Sequence, residues 1–103
     1  MAEDVRFYNP GSQEPTIGRQ AARATFATLT RVFDEFEHLH VLEERSSASI
    51  DVRLHAIHFR ARVGDQSLEG VDLLEIEDGE IVSFTVMIRP LAGLTAIARA
   101  AQS

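Results

Sequence analysis

Cysteine and lysine are both absent from this chain of 103 residues, and each absence removes a class of chemistry. Without cysteine there can be no disulfide, no thiolate nucleophile and no cysteine-bound zinc or iron–sulfur centre. Without lysine there is no Schiff-base chemistry and no phosphate-loop lysine. Carboxylates, hydroxyl groups, four histidines and ten arginines remain as the reactive side chains.

The chain also lacks a long apolar run and an excess of positive charge. No stretch approaches the roughly 20 apolar residues that cross a bilayer, and the N-terminus Met1-Ala2-Glu3-Asp4 is acidic where a signal peptide would be basic. The net charge of −6 argues against nucleic-acid binding. Because 45% hydrophobic residues supply one modest core, we predict a single cytoplasmic domain over residues 1–103.

Proline and glycine are concentrated in residues 9–18, which predicts a loop between a short strand around Val5 and Phe7 and a helix. The predicted helix runs from Arg19 to Phe36. Its apolar positions recur at steps of four and three and form one stripe: Ala22, Phe26, Leu29, Phe33 and Phe36.

The rest of the chain favours strands, over residues 39–46, 49–63, 67–76 and 81–89, with a short helix after Pro90. In the second of these strands the apolar positions are even-numbered up to Ala56 and odd-numbered from Ile57. One extra residue there would bring both sets to one face, so we predict a β-bulge at these two residues and a curved sheet.

The turn near residue 78 decides which face of its strand Asp72 occupies. A two-residue loop, Asp78-Gly79, would put Asp72 on the face of Ser83 and Thr85. A three-residue loop that begins at Glu77 pairs Asp72 with Phe84 instead. We favour the longer loop because it gathers the apolar side chains on one face: Leu68, Leu74, Ile76, Val82, Phe84, Val86 and Ile88.

Asp72 is then the only acid in the middle of an apolar face, and two interpretations stay open. A carboxylate surrounded by apolar groups is costly to ionise, so its pKa rises and it can donate a proton near neutral pH, which is typical of a functional site. Alternatively, Asp72 pairs with an arginine or hydroxyl group at the rim, or the strand bulges and turns it outward.

The histidines give weaker signals. His38 and His40 have the spacing of two metal ligands on one strand face, but no third ligand is evident, so we predict an exposed strand edge and no metal. We place His55 and His58 together on the polar face of the bulged strand, in a ladder of surface charges. No Gly-x-Ser-x-Gly elbow is present, which argues against a serine hydrolase.

The order of elements, with Gly-Val-Asp at 70–72, Asp-Gly-x-Ile at 78–81 and Arg-Pro-Leu at 89–91, resembles the nuclear transport factor 2-like superfamily. Within it the sequence is most similar to the SnoaL-like group of polyketide cyclases, ketosteroid isomerase and limonene epoxide hydrolase. The resemblance implies an α+β cone, in which a strongly curved antiparallel sheet wraps around helices, and a homodimer through the outer sheet face. The family's usual first helix is missing, so either the chain is abbreviated or a partner covers the opening.

The resemblance also assigns individual residues. The loop from Asn9 to Gly18 is similar to the isomerase loop that begins with the general-base aspartate, but asparagine cannot accept and return a proton. Asp72 matches the protonated aspartate of the isomerase oxyanion hole, whose tyrosine partner belongs to the missing helix. Compared with limonene epoxide hydrolase, Arg45 is kept and Ser47 stands where a catalytic acid is expected.

Two functions stay open. In the first, the cone binds a small, largely apolar carbonyl compound, and Asp72 donates a proton or hydrogen bond in isomerase-type or cyclase-type chemistry. The ligand would contact Tyr8, Asn9, Phe26, Leu74, Phe84, Val86 and Ile88. In the second, the protein is a non-catalytic dimerising or ligand-sensing module whose outer face carries Val71, Leu73, Thr85 and Met87. Neither function calls for a cofactor, a nucleic acid or a membrane.

Overall fold

The computed structural model describes residues 1–44 and 52–102, which form one six-stranded sheet and two helices. The elements in chain order are β1 (Arg6–Tyr8), β2 (Thr16–Ile17), α1 (Arg19–Arg31), β3 (Glu35–Glu43), β4 (Val52–Val63), β5 (Gln66–Glu77), β6 (Glu80–Arg89) and α2 (Leu91–Ala101). The strand order is β2-β1-β6-β5-β4-β3, and β1 and β6 are the parallel pair. The α+β class and the terminal helix are confirmed. In the described part of the chain no helix has the length and apolarity to span a membrane.

Helix α1 begins at the predicted residue, but it ends at Arg31 and not at Phe36. The chain leaves the helix because Asp34 joins the sheet: its backbone N–H donates to the Arg62 carbonyl at 2.8 Å. The Asp34 carboxylate also accepts a hydrogen bond from the backbone N–H of Gly64 at 2.6 Å. Phe36 therefore lies on β3, where its ring stacks on the ring of Phe59.

The predicted bulge at Ala56 and Ile57 is wrong. The pairing of β4 with β5 runs without interruption through both residues, and the irregularity lies on the neighbouring strand β3, between His38 and His40. The even-numbered and odd-numbered apolar residues of β4 therefore occupy opposite faces. The parity change reflects a strand that carries apolar side chains on both faces.

The hairpin between β5 and β6 has the shorter loop, so the predicted three-residue loop is wrong. Glu77 pairs with Glu80 around Asp78 and Gly79, whose φ values of 52° and 80° are those of a type I′ turn. Farther along, Ile81 and Ser83 pair with consecutive residues of β5, which leaves Val82 as a bulge. This bulge shifts the register by one residue, so that Asp72 pairs with Val86, whereas the two-residue loop alone would pair it with Thr85 and the predicted three-residue loop with Phe84.

The apolar face predicted from the longer loop is nevertheless observed, because the bulge restores it. Leu68, Leu74, Phe84 and Val86 are buried together with Asp72 on the side of the sheet that the helices cover. Helix α1 contributes Phe26, whose ring contacts those of Phe7 and Phe84. Helix α2 packs against the same face through Gly93, close to Leu68 and Ile88. This helix-covered side is called the inner face below, and the opposite side the outer face.

Candidate functional site

Asp72 lies in the middle of β5, with Ile57 of β4 and Val86 of β6 directly across from it. Only 8% of its surface is exposed. Along its own strand, the inner-face neighbours are Gly70 and Leu74, both buried. The residues directly opposite this carboxylate on both adjacent strands are therefore apolar.

This burial raises the pKa of Asp72 from 3.8 to about 6, and desolvation is the cause. Among residues 1–44 and 53–102, none donates a hydrogen bond to its carboxylate or forms an ion pair with it, and its oxygens keep a small contact with solvent. The predicted arginine or hydroxyl partner at the rim is thus not found there. At pH 7 a group with this pKa is protonated in about one molecule in ten, so both the acid and the base form are accessible.

A second titratable side chain, His55, shares the inner face. Since β4 carries no bulge, His55 pairs with Leu74 and lies diagonally across from Asp72, a position at which two residues are typically about 7–8 Å apart. Its Nδ1 atom is 3.8 Å from Oε1 of Glu43 on β3. The prediction that placed His55 with His58 on the polar face is wrong for His55. Side chains alternate along a strand, so His55 lies on the same face as the apolar residues Ile57 and Phe59, two and four positions further on. This spacing in the sequence would have placed His55 correctly.

The residues predicted to contact a ligand fall into two groups. Leu74, Phe84 and Val86 are buried beside Asp72, and Ile88 is half-buried on the same face. The ring of Phe26 packs on that of Phe84 with 5.4 Å between centroids, and Phe7 stacks on Phe84 at 5.1 Å. These rings occupy the space between α1 and the sheet.

Tyr8 and Asn9 form the second group, at the end of β1. Tyr8 pairs with Thr85 and so lies on the outer face, whereas Asp72 lies on the inner face, which differs from the predicted position of Tyr8 in the ligand-contacting wall. The Asn9 side chain accepts a hydrogen bond from the backbone N–H of Gly11 at 2.8 Å, which holds the start of the loop. Asn9 also borders a cavity of about 340 Å³ between the helices, with Leu29 of α1 and Ile97 of α2 in its wall. Asp72 does not line this cavity, so this cavity does not join Asn9 to Asp72. Arg45 and Ser47 lie outside the described residues.

The metal-ligand spacing of His38 and His40 does not put the two side chains on one face. The bulge between them turns His38 to the inner face, against the ring of Phe36. His40 turns to the outer face, where its Nδ1 atom is 3.2 Å from Nδ1 of His58.

From His58 a chain of polar contacts continues along the outer face. Nε2 of His58 is 2.7 Å from Glu69, and the other Glu69 oxygen accepts a hydrogen bond from Arg89 at 3.1 Å. The hydrogen bond from His58, followed by that from Arg89, lowers the pKa of Glu69 below its usual 4.5. The predicted ladder of surface charges is confirmed for His58, and for Arg60 and Arg62, which form ion pairs with Glu37 and Glu35. It does not include His55, and Asp51 lies outside the described residues.

Comparison with known proteins agrees with this architecture. A steroid delta-isomerase from Pseudomonas aeruginosa is 31% identical over 99% of this chain and 72% of its own, with a TM-score of 0.84. A protein with a cystatin-like fold from Silicibacter pomeroyi is 30% identical over 99% of this chain and 68% of its own, with a TM-score of 0.87. A candidate SnoaL-like polyketide cyclase from Jannaschia sp. shares the fold at 21% identity, covering 95% of this chain and 73% of its own, with a TM-score of 0.63.

No match was found among the curated proteins. The family model of the SnoaL-like domain matches residues 1–84, from the first strand to the middle of β6. Together with the six-stranded curved sheet and its two helices, this match shows that the chain belongs to the SnoaL-like family of the nuclear transport factor 2-like superfamily.

Proposed function

We propose that the protein binds a small, largely apolar carbonyl compound against the inner face and uses Asp72 as the group that contacts the carbonyl oxygen. The observation that carries this proposal is a carboxylate, 8% exposed, with an apolar residue directly opposite it on both adjacent strands. An unpaired buried carboxylate is costly to keep. Its retention in the core is explained if a ligand supplies its hydrogen-bond partner.

The chemistry that suits this acid is isomerase-type or cyclase-type proton transfer. With a pKa of about 6, Asp72 changes its protonation state close to neutral pH, which is the range in which general acids and bases work best. An apolar ligand that displaces the remaining water would raise this pKa further. The protonated form would then donate to the oxygen of a ketone or of a developing enolate.

A proton-transfer cycle needs a second group, and His55 supplies one on the same face. Asn9 cannot take this role, because a neutral amide does not accept and return a proton at ordinary pH. We propose that His55, with Glu43 beside it, exchanges a proton with the ligand carbon while Asp72 holds the oxygen. The similarity to a steroid delta-isomerase supports a ring ketone as the ligand class.

A test would compare binding of steroid and terpenoid ketones with binding of the corresponding hydrocarbons, by calorimetry and thermal shift. Asp72→Leu should abolish the preference for the ketones. Glu75→Gln, which removes an acid on the same strand but on the outer face, should leave that preference unchanged. If no ketone stabilises the native protein, or if Asp72→Leu responds as the native protein does, the proposal is wrong.

The second candidate is a non-catalytic dimerising module. Two observations favour it: the rings of Phe7, Phe26 and Phe84 fill space beneath α1, and Met87 at the centre of the outer face is 48% exposed. Met87→Glu should then convert a dimer into a monomer in light scattering, whereas Leu91→Glu, an exposed residue of α2, should not. A wild-type monomer at micromolar concentration would exclude this dimer. The cytoplasmic location stays a prediction of the sequence.

A further inference from the structure

The two histidines that meet on the outer face form a pair that the proposed inner-face chemistry does not use. His40 belongs to the edge strand β3, His58 belongs to β4, and the sheet register places them directly opposite each other. Their Nδ1 atoms are 3.2 Å apart, and the two ring planes are inclined by only 3°. Both atoms therefore lie on ring edges that face each other across the two strands.

This separation matches that of two nitrogen ligands on one metal ion, but with ring centroids 5.5 Å apart the two atoms point at each other, so the rings must rotate to converge on an ion. Nitrogen atoms at about 2.0–2.1 Å from a tetrahedral zinc ion are about 3.3 Å from each other. Imidazole is a preferred ligand of zinc, nickel and copper. We propose that His40 and His58 bind a divalent transition-metal ion of the zinc and nickel class through their Nδ1 atoms.

On the side of the ring away from His40, His58 contacts a carboxylate, as metal-binding histidines commonly do. Its Nε2 atom is 2.7 Å from a Glu69 oxygen, and the other Glu69 oxygen is held by Arg89 at 3.1 Å. A hydrogen bond from Nε2–H to this carboxylate leaves Nδ1 of the neutral ring without a proton, which is the form that binds a metal. A carboxylate in this position fixes the tautomer and raises the basicity of the ligand nitrogen.

Without a metal, the same geometry is a hydrogen bond from Nδ1–H of His40 to the bare Nδ1 of His58. Metal binding replaces this shared proton, and the neutral His40 ring carries its proton on Nε2 instead. No further group among the described residues completes a set of three protein ligands. Water therefore fills the remaining positions, which it can reach because His40 is exposed on the edge strand.

Because the two ligands come from neighbouring strands, the ion would join the edge strand β3 to β4. A ligand that binds only the folded state raises its stability. We expect Tm to rise by about 4 °C or more with excess Zn²⁺ or Ni²⁺, and to stay unchanged with Mg²⁺, which prefers oxygen ligands.

The test is calorimetric titration of tag-free protein with ZnCl₂ and NiCl₂, with circular dichroism to check that each variant folds. His40→Ala and His58→Ala should each abolish the one-to-one binding. His38→Ala, on the same strand but on the inner face, and His55→Ala should retain it. Glu69→Gln should weaken it by about 10-fold or more as a positioning residue, whereas Glu37→Gln, another outer-face acid, should not.

Two results would overturn the site. One is the absence of saturable Zn²⁺ and Ni²⁺ binding to the wild-type protein. The other is an equal loss of binding in the His38→Ala and His40→Ala variants, which would indicate non-specific binding to surface histidines. Both readouts are independent of any ketone ligand, so the failure of one proposal leaves the other standing.

Discussion

The ring of Phe59 on β4 covers the backbone of Gly70 on β5, two residues from Asp72. A Cβ atom added at Gly70 would lie 2.5 Å from Cζ of Phe59 and 2.5 Å from the carbonyl oxygen of Met87. Phe59 is 1% exposed and stacks on Phe36, so the ring has little room to move away. The strand that carries the candidate acid therefore depends on a residue without a side chain.

We accordingly expect Gly70→Ala to destabilise the protein by about 1–3 kcal/mol, because the methyl group overpacks a filled site. Urea denaturation would measure the change. Gly11→Ala is the matched control, since a Cβ there would meet only an ordinary contact at 3.6 Å. Equal stability of the Gly70→Ala and wild-type proteins would mean that Phe59 is free to shift.

The raised pKa of Asp72 predicts a particular dependence of stability on pH. The folded state binds the Asp72 proton more tightly than the unfolded state does, so this contribution to stability is complete below about pH 3.8 and is lost as the pH rises through about 6. The difference between the two pKa values corresponds to about 3 kcal/mol. Asp72→Asn should therefore gain stability relative to the wild type as the pH rises from about 4 to 8.

Chemical denaturation of both proteins at several pH values would measure this gain. Glu75→Gln, on the outer face of the same strand, should show no such trend. A constant difference between Asp72→Asn and the wild type across the range would show that the carboxylate reaches water in the folded state.

Ligand binding should follow the same protonation. If protonated Asp72 donates to the ligand carbonyl, the affinity for a ketone falls as the pH rises above the raised pKa of Asp72. Asp72→Asn keeps a donor that does not titrate, so its affinity should vary less over the same range. Calorimetry at about pH 5 and pH 8 would compare the ketone affinities of the wild type and the variant. An equal wild-type affinity at both pH values would contradict the donor role.

The junction after α1 should be sensitive to loss of one carboxylate. Asp34 accepts a hydrogen bond from the backbone N–H of Gly64 at 2.6 Å, and Asp34→Ala should cost about 1 kcal/mol of folding stability. Glu35→Ala removes an exposed ion pair with Arg62, which is typically worth less than about 1 kcal/mol. Thermal denaturation that ranks the two variants in the opposite order would contradict this assignment.

Much of the fold could be predicted because the apolar side chains of a strand or helix show which of its faces packs into the core. The residues predicted for the inner face of β5 and β6 are correct although the predicted loop is wrong. Leu74, Phe84 and Val86 share a face with the predicted three-residue loop and also with the observed two-residue loop and bulge. The start of α1 at Arg19 is also correct. Its end was missed because Phe33 and Phe36 fit the helical stripe as well as they fit the aromatic cluster with Phe59.

The site was harder to predict than the fold because its members come from different strands. Asp72 stands out as a single acid among apolar residues, whereas His55 becomes its neighbour only through the register of β4 with β5. The pairing of His40 with His58 depends on the bulge in β3, which no local pattern indicates. Side chains brought together by long-range pairing leave no periodic signal in a single sequence.

The bulge at Val82 divides the hairpin of β5 and β6 into two parts with different strand registers, one at the tip and one around Asp72. At the tip, the type I′ turn at Asp78 and Gly79 pairs Glu77 with Glu80. Beyond the bulge the register is shifted by one residue, and Asp72 pairs with Val86. One residue inserted at the tip could therefore be compensated by deleting Val82, with the acid left facing inward. The inward orientation of the acid is thus independent of the length of the exposed turn.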